Sequence, residues 1–155
     1  MPVIGVLIST MAPAALNTTP SFAVVVHRSN PVNNLRLADL KSFFSGAATR
    51  WPNGAKVVLV ERDAAGNASR FLFDRILNTT PREYQRRLAS IEFKGEEPLT
   101  LKTLNSDAAA CKFVFNVPGS IALIETESLA LPACEQIQIL RIEGKLPGEE
   151  GYRLK

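Results

Sequence analysis

Four short apolar-rich runs, each separated from the next by stretches with helical spacing, constrain this chain more than any other feature. They are Phe22–His27, Lys56–Glu61 with Val57-Val58-Leu59-Val60 at its centre, Ile121–Ile124 and Ile137–Ile142. A run of strand length that is apolar at successive positions has side chains on both faces to bury, so it reads as a strand between two layers. The segments between repeat their apolar residues at helical spacing. Leu35, Leu37, Leu40, Phe43 and Phe44 form one stripe, which Gly46 is placed to end, and Leu72, Phe73, Ile76 and Leu77 form another on a helix starting near Ala68. Thr80-Pro81-Arg82-Glu83 reads as a capping box with proline at the first helical position, opening a helix whose buried face is Tyr84, Leu88 and Ile91. Ser106–Asn116 is a further helix with Ala110, Phe113 and Val114 inward, stopped by Pro118-Gly119. Strands alternating with helices predict an α/β fold: a single three-layer domain with a mostly parallel sheet of about four to five strands.

Composition narrows the function classes. The 155 residues suit one domain, and 46% hydrophobic with 21% charged residues suits a packed core without metal or disulfide support. Eighteen Lys+Arg against fifteen Asp+Glu leave a net charge of only +3, with the signs alternating along most of the chain. Arg82, Arg86 and Arg87 come nearest to a basic cluster, but Glu83 interrupts them and they read as a solvated helix face, so no nucleic-acid partner is expected. One histidine and two cysteines cannot supply the four ligands of a structural zinc site. A histidine-dependent hydrolase would have to use His27, which sits at a strand end where histidine is ordinary. Glu61 and Asp63 are the nearest acid/base candidates, and both adjoin Arg62, which favours their ionised forms. No catalytic residue, metal or cofactor is assigned. Trp51 reads as packing under a turn, and Glu96-Glu97 and Glu149-Glu150 as solvated loop charges.

Residues 3–16 form an apolar stretch too short to span a bilayer, which takes ~20 residues. With Ala12-Pro13-Ala14 resembling a cleavage site, residues 1–20 read as a secretory signal and 21–155 as the working domain, periplasmic or secreted. No Lys or Arg precedes the run, so a first strand of the domain is the competing reading. Compartment bears on Cys111 and Cys134: they are either a disulfide, favoured in an oxidising space, or two buried thiols.

The segment that can carry chemistry is strand, loop and helix: Val57–Glu61, then Arg62-Asp63-Ala64-Ala65-Gly66-Asn67-Ala68-Ser69-Arg70. Loops at the carboxyl ends of parallel strands are where α/β sheets bind ligands, and a helix start there offers free N–H groups to an anion. Gly66 permits close approach, Asn67 is an acceptable N-cap, Ser69 adds a hydroxyl, and Arg62 and Arg70 bracket the loop with charge suited to oxyanions. A phosphate-cradling G-x-x-x-x-G-K-[ST] pattern is absent. The plain alternative is a capped helix with solvated arginines.

Four stretches in register resemble the phosphate-binding proteins of phosphate ABC transporters, with the type II periplasmic-binding fold. They are Phe22 to Leu35, Leu37 to Gly46 with Trp51 following, Arg62 to Arg70 with Phe73, and Val117-Pro-Gly-Ser-Ile-Ala-Leu-Ile124. Together they span about residues 22–142. In that family an arginine and a Ser-Gly-Thr at the helix start hold the oxyanion. Arg62 matches the arginine, but Gly66, Asn67 and Ala68 stand where Ser-Gly-Thr is expected, so both hydroxyl donors are replaced. The family has two lobes and this chain resembles one. The resemblance implies a solute-binding-type protein that takes phosphate or sulfate weakly at Arg62, Gly66, Asn67, Ala68, Ser69 and Arg70, with a membrane transporter as partner. The alternative is an envelope protein-interaction module that kept the fold and lost the ligand.

Overall fold

Phe22, Ala23, Val24, Val25 and Val26 form strand β1 (Phe22–Val26), buried along its whole length. The pleat sends Phe22, Val24 and Val26 into one apolar cluster and Ala23 and Val25 into another. These clusters are the two faces of a five-stranded sheet in the computed structural model, which describes residues 20–63 and 66–155. The signal-peptide reading of residues 1–20 falls, Pro20 apart, outside the described residues.

The remaining strands are β2 (Asn34–Leu35), β3 (Val58–Arg62), β4 (Thr100–Leu104), β5 (Ser120–Glu125), β6 (Gln138–Ile139) and β7 (Arg141–Ile142). The main sheet runs β4-β3-β5-β1-β6. β3 pairs parallel to both β4 and β5, whereas β1 pairs antiparallel to β5 and β6. The sheet is therefore mixed rather than mostly parallel. Helical crossovers link β3, β4 and β5 and impose one direction on them, while β1 reaches β3 without pairing to it, so nothing fixes its sense. The run Ile137–Ile142 divides between two sheets. Gln138–Ile139 joins β1, Arg141–Ile142 pairs parallel with β2, and between them Leu140 is buried with its N–H donating to the Val24 carbonyl at 2.9 Å.

Helix α1 (Leu37–Phe44) starts later than its apolar stripe, because Leu35 is taken into β2. Helix α2 (Asn67–Phe71) continues as a π-helical turn, Leu72–Leu77, and ends at Asn78 in the left-handed region. Helix α3 (Pro81–Phe93) is capped by Thr80, whose hydroxyl oxygen accepts the Glu83 N–H at 3.2 Å. The Glu83 carboxylate takes the Thr79 hydroxyl at 3.0 Å. Tyr84 is core, as expected: its hydroxyl donates to the Phe44 carbonyl at 2.8 Å and its ring meets Phe73 edge-on. Burial pushes its phenol well above the usual range. Leu88 and Ile91 are only half-buried.

The residues of α1, α2, the π turn and Tyr84 cover one face, and helix α4 (Asp107–Asn116) covers the other with Ala110, Cys111 and Val114. Each fully buried Val, Leu, Ile or Phe contributes about 1.5–3 kcal/mol, so the three layers hold one another. Cys111 and Cys134 form a disulfide with Cα atoms 5.1 Å apart, fastening α4 to a short 3-10 turn, Pro132–Cys134. Trp51 lies under its turn, 3% exposed, with Nε1 donating to the Gly119 carbonyl at 2.9 Å. His27 follows β1, and its Nδ1 accepts the Ser29 N–H at 3.1 Å. Two acids read as solvated have work in the structure. Glu97 gathers Thr49, Arg50 and Lys56, and Glu149 accepts the Leu146 N–H at 3.0 Å while facing Arg141. The two ends of the domain meet: the Phe22 N–H donates to the Leu154 carbonyl at 2.8 Å, and the Tyr152 hydroxyl to the Phe22 carbonyl at 2.6 Å.

Candidate functional site

The carboxyl ends of β3 and β5 and the starts of α2 and α4 converge on one corner. Arg62 closes β3, and Gly66 is the N-cap of α2 in extended conformation (φ −77°, ψ 155°), with Asn67 as first helical residue. Its N–H donates to the Asp63 carbonyl at 3.0 Å, and a Cβ built on it would lie 3.4 Å from that oxygen and from Asp63 Oδ1. The loop is thus tight against its own Asp63. Ala68 and Ser69 are buried, and the Ala68 methyl belongs to the core. The Ser69 hydroxyl donates back to the Arg62 carbonyl at 2.9 Å, tying helix to strand. Exposed Asn67 donates through Nδ2 to Glu125 Oε1 at 3.2 Å. Arg70 is exposed and lines a neighbouring groove with Asn67 and Phe71.

The Arg62 guanidinium is nearly enclosed and pairs directly with Asp107 in the first turn of α4. The side chains are 13% and 12% exposed, so water screens the pair little. Asp107 is held from its other side as well: Oδ2 accepts the Glu125 N–H at 3.1 Å and the Ser128 hydroxyl at 2.6 Å. Burial draws the Arg62 guanidinium below its ordinary pKa, opposed by the charges of Asp63 and Glu125. It remains a cation at any physiological pH. Its Nε is buried without a hydrogen-bond partner among the described residues.

Arg62, Gly66, Asn67, Ala68 and Ser69 are thus brought to one strand–helix junction, and exposed Arg70 lines the adjoining groove. The residues that sequence reading missed are acids: Asp107 and Glu125, with Ser128 supporting the first. Ser106-Asp107 carries a recognisable helix-start signal, and Ser106 does accept the Ala109 N–H at 3.0 Å. That signal says nothing of a cation across the sheet. Among the described residues no group of three or more His, Cys, Asp or Glu is arranged to hold a metal, and no helix is long and apolar enough to cross a membrane.

The fold is an α/β domain that resembles half of a phosphate-binding protein. Superposition on solved structures bears this out. PstS from Borrelia burgdorferi is similar over 83% of this chain with a TM-score of 0.66 and 17% identity. An ABC-type phosphate transport receptor from Vibrio cholerae is similar over 83% of it, with a TM-score of 0.63 and 19% identity. A putative phosphate ABC transporter substrate-binding protein with bound phosphate, from Clostridium perfringens, is similar over 81%, with a TM-score of 0.62 and 16% identity. The chain spans about half the length of these structures: 49%, 48% and 46% respectively. No family model and no curated protein sequence matches it. At these identities the likeness is one of fold.

Proposed function

We propose that this domain is an extracytoplasmic, binding-protein-type lobe, not an enzyme, in which the start of α2 is a weak half-site for phosphate or sulfate. The observation that carries the reading is the Arg62–Asp107 pair. The guanidinium that an oxyanion would use already faces a carboxylate and its Nε is buried, leaving the first amides of α2, around Asn67, Ala68 and Ser69, as donors. Gly66 and Ser69 shape that junction, and Arg70 adds charge beside it. One or two charge-assisted bonds contribute ~1.5–3 kcal/mol each. They must first offset an association cost of ~4 kcal/mol or more, so affinity is roughly millimolar or weaker. The disulfide and the fold of the similar proteins support a location outside the cytoplasm.

Calorimetry with phosphate and with sulfate tests this on the full chain. The expected dissociation constant is about millimolar or larger, and D107N tightens it about threefold or more by releasing Arg62. A micromolar constant for the unaltered protein overturns the weak-site reading. A second reading is favoured by the fixed state of Asp107, whose Oδ2 is held by Glu125 and Ser128. On it the corner is closed for good, and the domain is an interaction module that binds another envelope protein rather than a membrane transporter's solute. Phosphate then raises the melting temperature of neither the unaltered protein nor R62A, whereas a working half-site gives a rise that R62A abolishes.

A further inference from the structure

Away from the Arg62 corner, a cavity of about 400 Å³ opens where the first turns of α1, the π-helical turn after α2 and residues 153–154 meet. Three separate stretches of chain each bring a cation to it: Lys41, Arg75 and Arg153. Among the described residues no carboxylate lines it, and half-buried Phe71, with the nearly buried Ile76 and Leu154, supplies a small apolar wall. Arg36, Arg50 and Arg141, by contrast, each have an acidic partner. Among the described residues, Lys41, Arg75 and Arg153 take part in no ion pair or side-chain hydrogen bond. Glu143 accepts the Leu37 N–H at 2.9 Å, and Asp74 lines the adjoining groove beside Arg75. That groove, about 410 Å³, shares Phe71 and Arg75 and adds Lys155.

We propose that this cavity binds an organic phosphate: a phosphate ester whose anionic head meets Arg75, Arg153 and Lys41 and whose body lies on the apolar wall. Two guanidinium forks and an ammonium match phosphate oxygens, the forks bidentately. The volume falls in the range of small-molecule sites and is far more than one tetrahedral oxyanion fills. Inorganic phosphate would meet the cations and leave the apolar wall uncovered, so the body is what separates ligand from bare ion. This site is independent of the reading of the Arg62 corner.

Calorimetry at low ionic strength on the full chain, with adenosine monophosphate, citrate and inorganic phosphate as probes, tests the proposal. The nucleotide should bind at least about tenfold more tightly than either of the others. R75E/R153E should weaken the nucleotide about tenfold or more. R82E/R86E, an equal charge change on exposed positions of α3, should leave it within about twofold. Both double variants alter exposed side chains, and unchanged melting temperatures without ligand show that they fold. No nucleotide binding, binding that R75E/R153E leaves intact, or citrate binding as tightly as the nucleotide each overturns the assignment.

Discussion

Gly119 shows how much one backbone position can hold. Its φ is +83°, and a Cβ there would lie 2.4 Å from the Lys56 carbonyl oxygen. Its own carbonyl accepts both the Val58 N–H at 3.0 Å and Trp51 Nε1 at 2.9 Å, so the turn before β5 cannot relax without pulling on β3 and the tryptophan. G119A should combine left-handed strain with overpacking against backbone and cost more than about 2 kcal/mol, lowering the melting temperature by more than about 4 °C. Gly54 is a built-in comparison, since its φ is +86° but a Cβ there meets nothing within 4 Å. G54A should cost about half as much or less, and equal losses in thermal melts would mean the Lys56 contact is not what decides. In the sequence, Pro118-Gly119 reads only as a helix stop. The demand for glycine comes from a carbonyl far along the chain, as the demand for Asp107 comes from Arg62. Local pattern places Arg62, Gly66 and Asn67 at a helix start, but it carries no record of which acid faces them.

At the level of elements, α4 is the piece most directly fastened. One of its turns is bonded through Cys111 to the 3-10 turn at Cys134, and its first turn reaches β5 through Asp107 and the Glu125 N–H. Closing a loop of 23 residues is worth ~3 kcal/mol, so C111A/C134A should lower stability by about 2–4 kcal/mol. Hydrogen exchange should then quicken in α4 more than in β3, and uniform quickening would mean the bridge acts on the whole domain rather than on its helix. Elements were legible in proportion to their burial. β1, β3 and β5 carry apolar side chains toward both layers and stand out. β4 is an edge strand, Thr-Leu-Lys-Thr-Leu, exposed at Thr100, Lys102 and Thr103, and offers no such run. The run at 137–142 announces a strand but not that it changes sheets at Leu140, because pairing partners are set by distant chain.

Over the whole molecule, charge works in opposite senses at different acids. Burial raises the Glu61 carboxyl, with the Thr103 hydroxyl opposing weakly. Its folded pKa lies above the unfolded value of 4.5, so the group penalises folding increasingly as pH rises through that window and fully above it. The Arg50 and Thr49 hydrogen bonds lower Glu97, and Arg36 lowers Asp39. What those two add is present above their unfolded values and lost as pH falls through the folded ones. E61Q should therefore melt about 1–3 °C higher than the unaltered protein at pH 7 and show no advantage near pH 3. An advantage that grows on acidification would reverse the sign assigned to burial. The α/β class was legible at this scale because layered burial writes itself into apolar periodicity, whereas the mixed direction of the sheet did not, since periodicity carries no strand sense. A last consequence follows from Phe22 and Leu154 sharing a hydrogen bond beside the Tyr152 clasp. Polypeptide arrives and departs through one doorway, so a larger chain could carry this lobe on two neighbouring stems, and both would flex about a common pivot without disturbing a single layer of packing.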